Sequence, residues 1–212
     1  MMAWRIYLAG ALLLMGIGIA FTLPGDKGYF LKLLSEYRHP VADYYFLHVT
    51  KLGEEYGFVI IGLLLWFRSW RKMVMIPILG LLVTIVSYML KRTFHHERPL
   101  LYLRRTGWDG PLAVLDYNIL AGYASFPSGH SMAAWALFTL TAALIRKPWV
   151  SVLCLFLAAS VSISRVYLMV HFLRDVLAGA AIGFSLAIAI YYVYDNWMKK
   201  SQLAQSEDLK SE

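Results

Sequence analysis

Apolar residues in this chain come in long unbroken runs instead of alternating with polar ones. Six such runs stand out, at 7–23, 56–67, 73–90, 128–145, 150–163 and 172–197. A helix that crosses a bilayer needs about 20 mostly apolar residues. The second and fifth runs fall short as cut, so they are expected to extend into their flanks. A transmembrane barrel would instead show segments of about 10 residues alternating apolar and polar. The pattern therefore predicts an all-α integral membrane protein, with six transmembrane helices in one bundle and both termini on one side. Residues 1–200 form the single domain, and the polar stretch 201–212 is expected to be a disordered tail.

The polar connections orient the bundle. Arg5 precedes the first run, Arg68, Arg71 and Lys72 separate the second and third, Arg146 and Lys147 the fourth and fifth, and Lys199 and Lys200 follow the sixth. Short basic connections stay in the cytoplasm, so both termini are expected there, in a plasma or bacterial inner membrane. The first run also resembles a signal peptide, with Gly18-Ile19-Ala20 as a loose cleavage site. Cleavage would leave five spans and invert the parity, so the six-span reading is preferred.

The opposite side then carries two long loops, 24–55 and 91–127, and a short connection, SRVYLMVHFLRD, at 164–175. The last two are rich in Lys and Arg, including Lys91, Arg92, Arg98, Arg104, Arg105, Arg165 and Arg174. Orientation does not call for bases on that face.

Composition sharpens the picture. Charged residues are 16% of the 212 positions and hydrophobic residues 59%, against roughly 25% charged in soluble domains. The formal charge of +7 is scattered along membrane edges, which suits anionic lipid headgroups and not nucleic acid. The single cysteine, Cys154, lies in an apolar run, so it reads as an inert core residue and excludes an internal disulfide or a CxxC site.

Three segments on the non-cytoplasmic side carry chemistry. In KRTFHHERP, Lys91 and Arg98 offer donors suited to phosphate oxygens, and Arg165 adds a third. In PSGH, Pro127 to His130, the chain enters the fourth run. There Ser128 acts as a cap or hydroxyl donor, and Gly129 permits close backbone approach at a helix N-terminus that favours anions. His171 and Asp175 are four residues apart, which on a helix sets them one turn apart on one face. A carboxylate on one ring nitrogen leaves the other as nucleophile or base, and His130 suits protonation of a leaving oxygen. The set fits phosphoryl transfer in which the protein supplies the charge stabilisation.

These residues resemble the three-part signature of the type 2 phosphatidic acid phosphatase superfamily, K-x6-RP, PSGH and SR-x5-H-x3-D. Every position matches: Lys91, Arg98 and Pro99; Pro127, Ser128, Gly129 and His130; Ser164, Arg165, His171 and Asp175. The resemblance implies a membrane lipid phosphatase without metal or cofactor, its site at the non-cytoplasmic boundary. His171 would attack phosphorus to form a phosphohistidine, oriented by Asp175. His130 would protonate the departing oxygen and then activate water, while Lys91, Arg98, Ser128, Gly129 and Arg165 hold the phosphoryl oxygens. The implied substrate is phosphatidic acid, phosphatidylglycerol phosphate, a polyprenyl diphosphate or a lipid A phosphate. A lipid phosphotransferase is the nearer alternative. A transporter is the more distant one, because the apolar runs carry almost no ionisable residue near the midplane.

The remaining features receive plainer readings. His95 and His96 are taken as loop or interface histidines in preference to metal ligands. Arg92, Arg104, Arg105 and Arg174 are taken as interfacial anchors, with Arg104 and Arg105 suited to a second phosphate if the substrate is a diphosphate. Tyr102, Trp108, Tyr117 and Tyr123 are placed at headgroup level. Pro77 and Gly80 are expected to adjust helix packing.

Overall fold

The computed structural model describes residues 2–23, 25–108, 110 and 122–211; Tyr117 lies outside them. Nine α-helices make up the described chain, with one 3₁₀ turn. They are α1 (Met2–Ala20), α2 (Tyr29–Glu36), α3 (Pro40–Val49), the turn Thr50–Gly53, α4 (Glu55–Trp66), α5 (Trp70–Phe94), α6 (Pro99–Arg105), α7 (Gly129–Ile145), α8 (Pro148–Tyr167) and α9 (Leu173–Ser211).

Four segments are long and apolar enough to cross a membrane: Met2–Ala20, Trp70–Arg105, Pro148–Tyr167 and Leu173–Leu203. Glu55–Trp66 and Gly129–Ile145 are apolar but shorter. The fifth expected run does extend into its flanks, because Pro148 starts the helix from the first turn, where its missing N–H costs nothing. The second does not reach spanning length: the chain turns at Phe67 and Arg68 before α5 begins.

α7 is the axis of the bundle. Every residue from Ser131 to Leu144 is buried, as expected of a helix that is apolar all round. α9, α8, α5 and α1 pack against it. Two glycines set the closest of these approaches. A Cβ on Gly179 would sit 2.4 Å from the Ser128 carbonyl oxygen, and one on Gly183 2.1 Å from that of Met132. The Gly-x3-Gly stripe thus lets the α9 backbone lie directly on that of α7. Tyr7 of α1 reaches Thr139 of α7 through a 2.8 Å hydroxyl contact. At the opposite end of α7, Lys72 donates to the Leu144 carbonyl at 2.9 Å, where helix carbonyls lack internal partners.

The stretch 24–55, read from the sequence as a loop, is largely helical. α2 buries Leu31 and Ser35, four residues apart on one face, and α3 starts at Pro40 with the His39 ring accepting from Val41 N–H. Together with α6 they form a cap over the turn between α8 and α9, burying Leu31, Leu100, Leu103, Leu168 and Phe172 in one cluster. The described backbone of 201–211 is helical where a disordered tail was expected. Gln, Leu, Ala and Lys favour helix there, and the preceding helix removes the nucleation cost.

Gly80 faces the Phe58 ring across the α4–α5 contact. His96 packs between the rings of Phe94 and Phe126. Gly80 thus stands at a helix contact, and His96 in the connection after α5. His95 is the left-handed residue that ends α5.

Candidate active site

The end of α5, the start of α7, the end of α8 and the start of α9 meet at one end of the bundle, under the cap. Lys91 comes from the last turn of α5 and Arg98 stands just before α6. Ser128 is the N-cap of α7, with its hydroxyl accepting from Ser131 N–H at 3.4 Å. A Cβ on Gly129 would lie 3.5 Å from Lys91 Nζ and 3.2 Å from Ser87 Oγ. The lysine amine therefore lies directly over the first turn of α7, whose amide groups point outward.

Lys91, Arg98 and Arg165 lie within one another's electrostatic reach and repel one another. Arg165 is 6% exposed. It donates to Thr50 Oγ1 at 2.7 Å, and its Nε lacks a partner. A buried guanidinium with a spare donor is costly unless an anion meets it.

His171 and Asp175 are both buried, but not as two residues of one helical turn. α9 begins at Leu173, so His171 sits in the preceding turn, with its N–H donating to the Arg165 carbonyl at 3.1 Å. His171 Nδ1 stands 3.9 Å from Asp175 Oδ2, within ion-pair reach but beyond a hydrogen bond. Asp175 Oδ2 instead accepts from Ser125 Oγ at 2.5 Å and from Phe172 N–H at 3.1 Å. The second bond is half of a capping box, in which the third helical residue reaches back to the cap amide. No hydrogen bond reaches His171 Nδ1 or Asp175 Oδ1, and the Arg174 Nε lies 4.0 Å from the latter. Burial pushes the His171 imidazole down to about 4, with Arg165 and Arg98 adding to the effect and Asp175 opposing it. The ring is therefore neutral near pH 7, as an attacking nitrogen must be.

His130 Nε2 lies 2.9 Å from Glu54 Oε1. The histidine bond is the main reason the Glu54 carboxyl is held below the usual carboxylate range. Glu54, Thr50 and Ser125 were missed by the motif reading. Ser125 stands three residues before the N-cap of α7, and Glu54 just before an apolar run, a place where a helix-start acid is the ordinary interpretation.

A cavity of about 540 Å³ opens beside this cluster. It runs from Glu54, Lys91 and Gly129 past Thr84 to Gly80 and Pro77, between α4, α5 and α7. Its far end is apolar.

Arg105, a candidate for a second phosphate, is engaged elsewhere. Glu97 accepts from it at 2.7 Å and from Lys27 at 3.1 Å. Arg174 is half exposed beside the Phe172 ring.

With helices and no strand among its described residues, four segments of membrane-crossing length, and a cationic cluster at one end, the molecule is an integral membrane protein. The PAP2 superfamily model matches residues 70–199, and the chain belongs to that superfamily. It is 36% identical over 90 residues to a lipid A 4'-phosphatase of Bacteroides thetaiotaomicron, covering 41% of this chain and 40% of that one. It is 31% identical over 137 residues to an undecaprenyl-diphosphatase of Sulfolobus acidocaldarius, covering 64% and 62%. A phosphatidylglycerophosphatase B of Bacillus subtilis is 29% identical over 153 residues, covering 67% and 66%. The matches thus span between two fifths and two thirds of these relatives. Among solved structures, Aquifex aeolicus LpxE superposes with a TM-score of 0.64 at 27% identity, over 76% of this chain and 91% of that one. A transmembrane PAP2-type phosphatidylglycerolphosphate phosphatase from Bacillus subtilis superposes with a TM-score of 0.66 over 89% and 96%; at 24% identity that likeness speaks to the fold.

Proposed function

We propose that the protein is a lipid phosphate phosphatase that works through a phosphohistidine, in a six-span bundle with its site on the non-cytoplasmic side. The observation that carries this reading is the position of the cluster. Lys91, which Arg98 and Arg165 both repel, stands with the first residue of α7 at the polar end of a groove whose other end is apolar. A phosphate attached to a lipid tail satisfies both ends at once, the phosphoryl oxygens meeting Lys91, Arg98, Arg165, Ser128 and the Gly129 amide while the chain lies along α4 and α5. The names of the three relatives point to the same class, lipids ending in a phosphomonoester or a diphosphate.

In this mechanism Nδ1 of His171 faces Asp175 and Nε2 attacks phosphorus. The bond from phosphorus to the lipid oxygen breaks, and that oxygen takes a proton from His130 to leave as the lipid alcohol or phosphate. Neutral His130 then takes a proton from water, whose oxygen attacks the phosphohistidine. The P–N bond breaks back onto His171, and inorganic phosphate leaves. Developing charge on the phosphoryl oxygens is met throughout by Lys91, Arg98 and Arg165.

The test is inorganic phosphate release by purified protein from a panel of lipid mono- and diphosphates, with EDTA present, beside a His171→Ala variant. Release that persists in EDTA and falls by three orders of magnitude or more in the variant is expected. Release unaffected by the substitution, or abolished by EDTA, overturns the mechanism.

A further inference from the structure

The segment from Thr50 to Glu54 lies far from all three motifs in sequence, yet it forms one wall of the site. Thr50 Oγ1 accepts from buried Arg165 at 2.7 Å. Gly53 packs so closely on His130 that a Cβ there would lie 2.8 Å from the histidine carbonyl oxygen and 3.2 Å from its Cβ. Glu54 then contacts the His130 ring at 2.9 Å. A single 3₁₀ turn thus touches one phosphate-binding arginine and the proposed general acid.

We propose that Glu54 is a positioning residue for His130: its carboxylate holds Nε2–H, favours the protonated form of the ring over the neutral one, and leaves Nδ1 to exchange the proton with the leaving oxygen and then with water. This rests on the phosphatase reading above. An ionised carboxylate only accepts, so the hydrogen in the 2.9 Å contact belongs to Nε2. The surroundings make such a partner necessary. Lys91 from α5 and Arg165 from α8 both act on His130, Arg98 acts on Lys91 and Arg165 in turn, and the ring sits in the first turn of α7, at the positive end of that helix. Each opposes a further positive charge. Across the cluster, His171 is neutral and Asp175 is turned toward Ser125 and Phe172. Glu54 is the acid that contacts the ring among the described residues, with Lys51 acting on Glu54 itself. The two histidines would then form opposite pairs: His171 facing its acid with Nδ1 and reacting through Nε2, His130 the reverse.

The experiment uses the full-length protein with Glu54→Gln, which keeps size and hydrogen bonding but removes the charge. Two substrates are compared, a long-chain lipid phosphate, whose alkoxide must be protonated to leave, and p-nitrophenyl phosphate, whose phenolate leaves without help. An opposite charge at hydrogen-bond distance moves a titration midpoint by about one unit or more. The expected result is a loss of about tenfold on the lipid, a loss under about twofold on p-nitrophenyl phosphate, and a His130 midpoint in ¹⁵N-histidine spectra lower by about one unit. Equal losses on both substrates, or an unmoved midpoint, overturn the proposal, since a merely structural role would slow both alike. If wild-type protein releases phosphate from neither substrate, the phosphatase reading fails. In that case a midpoint that still falls upholds the proton-holding pair, and an unmoved one removes it as well.

Discussion

At the scale of single residues, His171 shows how burial tunes an imidazole. Its ring is enclosed beside two cationic groups, while the nearby carboxylate is drawn toward other donors. The consequence is a pH dependence of stability. The unfolded histidine takes up a proton near 6.5, whereas the folded one does so only near 4. Between those values the unfolded chain binds more protons, so stability rises with pH across the window. The contribution is complete above about pH 6.5 and is lost as pH falls through about 4. For a fully enclosed ring it is on the order of 3 kcal/mol. Unfolding midpoints in detergent should therefore fall from pH 7 to 4.5 more steeply in wild-type protein than in His171→Ala, and parallel curves would show that His171 contributes nothing to the slope.

At the scale of elements, the site depends on the α7–α9 contact, because Ser128 N–H donates to the Asp175 carbonyl at 3.0 Å across it. Any residue that pushes these helices apart moves PSGH away from the His171–Asp175 turn. Gly183→Ala places a methyl group 2.1 Å from backbone, which cannot move as a flexible side chain can. Expected are a loss of about 1–3 kcal/mol, typical of overpacking, and a fall in phosphate release of at least tenfold. Gly16→Ala in α1, where nothing lies within 4 Å, should leave both unchanged. Equal behaviour of the two variants in thermal unfolding and activity would remove the close-contact explanation.

The candidate site positions were legible because their spacing is tied to helix ends: Lys91, Ser128, Arg165 and Asp175 all stand within a turn of one. Much of the bundle was legible for a similar reason, since continuous apolar runs have few alternatives. The cap was harder to see. α2 is eight residues long and α6 seven, too short for a strong periodic signal, and they are stabilised by packing on Phe172 and its neighbours instead of by their own propensity. Glu54 and Thr50 were hidden for another reason. Their partners, His130 and Arg165, are 76 and 115 residues away, and no local spacing marks a contact of that range.

At the scale of the whole molecule, the ends of the bundle differ in chemistry. One end holds the cap and the cationic cluster. The other holds Arg68 and Lys72 near Arg146, with Lys199 paired to Asp195. The proposed orientation rests on the basic connections at that second end, which favour the cytoplasm and would put the groove mouth at the opposite surface. Chemical labelling can decide this cleanly, because Cys154 is the single cysteine and is buried, so an introduced thiol is read against a silent background. Ser69→Cys reports the α4–α5 turn, and Tyr123→Cys the site end, where the native ring is 65% exposed. In intact bacterial cells a membrane-impermeant maleimide should label Tyr123→Cys and leave Ser69→Cys unlabelled until the membrane is permeabilised. The reverse pattern would put the cluster in the cytoplasm and its substrates in the inner leaflet. Labelling of both in intact cells would mean that neither α4, only 12 residues long, nor α5 carries the chain across the bilayer, and the six-span arrangement would fall.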